Sequence, residues 1–80
     1  MAGDTVLGPA VQEMIYIAVS TANACSYCVH SHSAAARAKG MSDAQHAELM
    51  AIIGLAAMTN GLVTAMHIPP NQAFMVPEAL

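Results

Sequence analysis

Apolar side chains recur at steps of three and four along most of this chain, and interruptions of that step divide it into three helices. Pro9 suits a first helical position, and Val11, Met14, Ile15, Ala18 and Val19 follow it at helical spacing. These five predict the inward stripe of the first helix, with Glu13 at its edge and Tyr16 in the core. Ser20 to Ala24 reads STANA, rich in side chains that compete with the helical backbone for hydrogen bonds, so the first break is expected there. A second helix is predicted to start close to Cys25 and to stop at Gly40, the residue best suited to a left-handed terminal cap. Arg37 and Lys39 in its last turn complement the negative end of the helix dipole.

Ser42 with Gln45 three positions on is a capping-box pattern, which starts a third helix at Asp43. It should run to about Met66 or His67, before Pro69-Pro70. Asn60 within it calls for a hydrogen-bond partner, a structural role. Residues 68–80, with Phe74 and Met75, predict an extended arm lying on a neighbour. The fold class expected is therefore all-α: one domain over residues 1–80, a core of about 7–66 built from three helices, and a C-terminal arm.

Composition adds a constraint on assembly. The 80 residues are 56% hydrophobic and only 9% charged, too little charge to cover a lone small globule. A domain this size also removes only about 60% of its unfolded surface from water, so its own core leaves it marginal. Burial between copies in a homo-oligomer is the expected remedy. Leu49 to Met66 carries no charge at all, close to the length of a membrane span. Thr59, Asn60, Gly61 and Thr64 dilute it and no basic or aromatic flank anchors it, so a helix at the centre of an oligomer is the preferred reading, with no membrane partner. Two cations and a net charge of −3 exclude the cationic footprint that nucleic acid requires. The N-terminal segment lacks the basic and apolar regions of a secretory signal, which makes a cytoplasmic location the expectation.

In a reducing compartment two cysteines point to metal binding or redox chemistry rather than a permanent staple. Both lie in CSYCVHSH, residues 25–32. On one helix Cys28 and His32 share a face, whereas His30 projects elsewhere, so at most three groups converge, and no second ligand pair follows elsewhere for zinc. A redox pair fits better. Cysteines three apart at a helix start can close a disulfide over one turn, and the free N–H groups there stabilise a thiolate. His32 is placed to move the proton that a nucleophilic thiol needs, and Glu13 on the preceding helix is the carboxylate best placed to orient it. Tyr27 is expected to pack and His30 to face solvent. A non-enzymatic oligomeric module with a structural or zinc-binding CxxC, or a membrane-associated helix hairpin, are the alternatives from other classes. No cofactor is called for.

Glu13, Cys25-Ser-Tyr-Cys28 and His32 together reproduce the spacing E-x(11)-C-x-x-C-x-x-x-H. This resembles the signature of the alkyl hydroperoxidase D branch of the carboxymuconolactone decarboxylase-like superfamily, over roughly residues 7 to 66. The resemblance implies an all-α fold assembled as trimers or hexamers, and a thiol-dependent alkyl hydroperoxide or disulfide reductase with an antioxidant role. It further implies Cys28 as the peroxidatic thiol, Cys25 as the resolving thiol, and His32 with Glu13 as a proton relay. The substrate would be a hydroperoxide, and the reductant a dithiol, a lipoyl group or a peroxiredoxin in relatives. Helix-terminus physics alone favours Cys25 as nucleophile; the resemblance assigns it to Cys28, next to His32. Lactone decarboxylation is disfavoured because that branch generally lacks the cysteine pair. For this superfamily the chain is short, so elements that shape the pocket or bind partners are expected either to be absent or to come from a neighbouring subunit.

Overall fold

The three helices are delimited by three C-terminal ends closed in the same way. The computed structural model describes residues 5–75. α1 spans Pro9–Ala22, α2 Ser26–Ala38 and α3 Asp43–Ala65, and the described residues contain no strand.

Each helix ends in a Schellman arrangement, with one residue in the left-handed region and a backbone N–H reaching back over the last turn. After α1 the left-handed residue is Ala24 (φ 56) and Cys25 N–H donates to the Ser20 carbonyl at 2.9 Å. After α2 it is Gly40 (φ 106), with Met41 N–H on the Ala36 carbonyl at 2.9 Å. After α3 it is His67 (φ 53), with Ile68 N–H on the Val63 carbonyl at 3.0 Å. The Gly40 cap and the Ser42–Gln45 capping box occur where the sequence predicts them.

The first break lies later than predicted. α1 continues through Thr21 and Ala22 because the Thr21 hydroxyl donates to the Ile17 carbonyl at 2.8 Å, four residues back. A hydroxyl satisfied in this way no longer competes for the helical N–H groups. The chain then turns over Asn23 and Ala24 alone.

The core sits where α1 crosses α2 and the start of α3. Ile17, Ala36 and Met41 are buried, with Met14, Leu49 and Ile53 packed on them. Burying Ile17 contributes roughly 1.5–3 kcal/mol, and the small Ala36 side chain lets α1 and α2 approach closely. The inward face of α1 is therefore Glu13, Ile17 and Ser20, at steps of four and three. The predicted stripe was placed on another side: Val11, Ile15 and Val19 are exposed, and so is Tyr16. α1 is apolar on two faces, and periodicity alone does not say which of them meets the core.

α3 leaves the core after Ile53. Every described residue from Gly54 onward is exposed, including Leu55, Met58, Leu62 and Met66. The chain measures 41 × 27 × 22 Å with a radius of gyration of 15.4 Å, against about 12 Å for a compact chain of this length. α3 is long and apolar enough to cross a membrane by length and composition. In the arm, Gln72–Phe74 form a short 3₁₀ turn instead of a continuously extended run. The rest of the predicted arm, 76–80, lies outside the described residues.

Candidate active site

The cysteine pair is held by the corner between α1 and α2. The Ala24 turn brings Cys25 to the N-cap position of α2, where its Sγ accepts the Cys28 backbone N–H at 3.3 Å. Cys28 lies in the first turn of the helix. The two are joined as a disulfide, their Cα atoms 5.3 Å apart. Both residues are half-buried, so the sulfurs are sheltered and still reachable. The helix N-terminus, with its unpaired N–H groups, faces the Cys25 sulfur.

One turn beyond Cys28, His32 reaches back across the helix interface to α1. His32 Nδ1 lies 2.6 Å from Glu13 Oε2. An ionised carboxylate only accepts, so Nδ1 carries the proton and, in the neutral ring, Nε2 keeps its lone pair. Glu13 is buried, at 8% exposure, and its second oxygen Oε1 accepts from Lys39 Nζ at 2.9 Å. The hydrogen bond from Lys39, then that from His32, hold the Glu13 carboxyl below the usual range despite the opposing effect of burial. Tyr16 stacks flat on the His32 ring, with centroids 4.2 Å apart and planes within 5°. The imidazole is thus fixed by a hydrogen bond in its plane and an aromatic ring on its face.

Glu13 and His32, separated by nineteen residues, are brought together. Tyr16 and Lys39 join them, and sequence reasoning placed them elsewhere, in the core and at the helix dipole. A signal for Tyr16 was present: it lies three residues after Glu13 on α1, a spacing that puts two side chains on adjoining parts of one face. For Lys39 the signal was scarcity, since the chain has two Lys and Arg residues in all. The other, Arg37, pairs with Asp43 at the α2–α3 corner and holds that carboxyl below the usual range.

His30 is exposed and takes no part in the Glu13 cluster, but it lines a cavity of about 490 Å³ beside Cys25, together with Thr21, Val29 and Met50. Tyr27 is largely exposed rather than packed. Asn60 lies with Ala18, Ala56 and Ala57 on a groove of about 410 Å³ between α1 and α3. Among the described residues no three His, Cys, Asp or Glu side chains are grouped to hold a metal ion.

A sequence model of the carboxymuconolactone decarboxylase family matches residues 1–69. The chain belongs to that family. Within it, the chain is similar to a solved structure, the alkylhydroperoxidase AhpD core from Rhodospirillum rubrum, at 70% identity and a TM-score of 0.91, over 95% of this chain and 56% of that one. This carboxymuconolactone decarboxylase family member therefore has the AhpD core fold and spans just over half the length of that protein. None of the curated proteins matches it.

Proposed function

We propose that the chain is a thiol-dependent alkyl hydroperoxide reductase, of antioxidant role, in which Cys28 is the peroxidatic thiol, Cys25 the resolving thiol, and His32 with Glu13 the proton relay. The observation that carries this reading is the His32 Nδ1 to Glu13 Oε2 contact of 2.6 Å beside a CxxC pair. A disulfide alone suits a structural staple. A buried, ionised carboxylate that fixes one tautomer of a histidine on the face of one of the cysteines suits proton transfer at sulfur.

In the reduced protein His32 Nε2 takes the proton of the Cys28 thiol. The thiolate attacks one peroxide oxygen; the S–O bond forms, the O–O bond breaks, and the alkoxide leaves as an alcohol with the proton His32 returns. The sulfenic acid on Cys28 condenses with the Cys25 thiol, forming the disulfide and releasing water. An external dithiol, such as a lipoyl group or the thiols of a peroxiredoxin, then exchanges with that disulfide and is itself oxidised. When the pair is reopened, the α2 N-terminus stabilises negative charge on the Cys25 sulfur, so the helix favours Cys25 as a leaving thiolate while the histidine favours Cys28 as the attacking one. The whole of residues 1–80 acts in this reading as one cytoplasmic domain, assembled through the exposed face of α3 into a homo-oligomer of three or six copies without membrane or nucleic-acid partners.

Titration of the reduced protein tests the activity. One equivalent of an alkyl hydroperoxide should remove both free thiols and leave one intramolecular disulfide, located by peptide mapping. Thiol counts that stay at two after peroxide is added refute the reading.

A further inference from the structure

Glu13 has two carboxylate oxygens, and His32 occupies only one of them. We propose that Lys39 is a positioning residue for the thiol site: by holding the second oxygen of Glu13 it locks the carboxylate in the orientation that serves His32, and it supplies the positive charge that frees the imidazole to accept and return the thiol proton. The inference rests on the thiol-peroxidase reading and deepens it.

Geometry is the first support. Lys39 Nζ donates to Oε1 at 2.9 Å while His32 Nδ1 donates to Oε2 at 2.6 Å, so the carboxylate is gripped at both ends. Lys39 and Glu13 lie 26 residues apart, on different helices, and the contact is therefore made by the fold. Lys39 is itself fixed at the backbone. It is the C-cap of α2, its N–H shared between the Ala35 and Ala36 carbonyls, and the left-handed Gly40 turns the chain immediately after it. The groups hydrogen-bonded to Glu13 are His32 and Lys39, both from α2, while Tyr16 of α1 covers the His32 ring.

Charge accounting is the second. A buried carboxylate facing a lone imidazole is neutralised only when the ring is protonated, and a ring that already holds the proton is a poor acceptor for another. With Lys39 in place, the Glu13 charge is balanced without needing a proton on the ring. After proton transfer the cluster holds two negative groups, Glu13 and the thiolate, against two positive ones, Lys39 and the imidazolium. Neutrality is kept on both sides of the step. The chain has only two cations, and committing one to this carboxylate leaves a single cation for the rest of the molecule.

Removal of a positive charge beside the coupled His32–Cys28 pair raises the proton affinity of the pair taken together. The experiment follows iodoacetamide alkylation of Cys28 in reduced full-length protein as a function of pH, mapped by peptide. Wild type is compared with Lys39→Met and Lys39→Arg, and the Lys39→Met change is repeated in a Glu13→Gln background. Circular dichroism checks folding, and Lys39→Gln stands in should the Met variant not fold. Lys39→Met should move the midpoint up by about half to one pH unit. Lys39→Arg should restore it, and in the Glu13→Gln background the Lys39→Met shift should largely vanish. An unchanged midpoint in Lys39→Met overturns the proposal, as does a shift of equal size without Glu13, since Lys39 would then act directly on sulfur. Peroxide consumption by wild type is scored separately: its absence defeats the peroxidase reading, whereas the alkylation midpoints judge Lys39 by themselves.

Discussion

At the α1–α2 corner Ile17 and Ala36 are removed from water, whereas from Gly54 onward every described residue stays exposed. The two regions are built from similar residues, largely Ala, Met and branched aliphatics. They differ in whether the described residues supply a partner. At the corner the left-handed turn at Ala24 folds α2 back on α1, and the same contact that buries Ile17 brings His32 to Glu13. Core and site are there one construction. Along outer α3, Leu55, Met58, Leu62 and Val63 present an apolar surface that stays exposed among the described residues. Among the described residues the buried apolar core is Ile17, Ala36 and Met41, a small core against the roughly 5 kcal/mol a stable domain requires. The difference teaches that the corner holds the Glu13–His32 pair with its own core, while outer α3 keeps apolar surface that the described residues do not bury.

The largest effect should come from charging the uncovered face. Leu55 is exposed, yet against a second copy Leu55→Asp would bury an unpaired carboxylate, at a cost of about 2–4 kcal/mol per interface. Sedimentation without detergent should therefore show wild type as a single oligomer and Leu55→Asp as smaller species. A wild type that is monomeric, or soluble only in detergent, breaks the comparison by assigning α3 to solvent or to a membrane.

A smaller effect sharpens the other side. Glu13 is held below the ordinary carboxyl range by Lys39 first and His32 second, so the folded state binds fewer protons than the unfolded one through the acid range. Its contribution is complete above the unfolded value of about 4.3 and is lost as pH falls through that value to the lower folded one. Urea midpoints measured against pH should fall more steeply for wild type than for Glu13→Gln within that range, and parallel curves there would detach Glu13 from the stability of the corner.

What the sequence made legible follows the range of the interaction. Helix starts and stops that depend on neighbours within a turn, such as the Ser42–Gln45 box and the Gly40 cap, were readable because their chemistry is local. The end of α1 was not, since Thr21 bonds back to Ile17 and the left-handed position is filled by Ala24, where glycine is the usual marker. The inward face of α1 was misplaced because two of its faces are apolar. The sequence placed Glu13 on the first helix and Cys28 and His32 on the second, which is where they lie. That Lys39 takes the other carboxylate oxygen and Tyr16 covers the ring depends on how α1 and α2 cross, and each residue alone had an ordinary explanation in capping or core packing.

The central claim is that Cys28, served by His32 and Glu13, attacks peroxide and Cys25 resolves the product. Trapping the intermediate in single-cysteine proteins tests it most directly. With hydroperoxide and dimedone present, Cys25→Ser should accumulate a sulfenic acid adduct on Cys28, formed about 10²–10⁴ times more slowly when Glu13→Gln is added, while Cys28→Ser should form none. An adduct on Cys25 in the Cys28→Ser protein, with none in Cys25→Ser, would contradict the assignment.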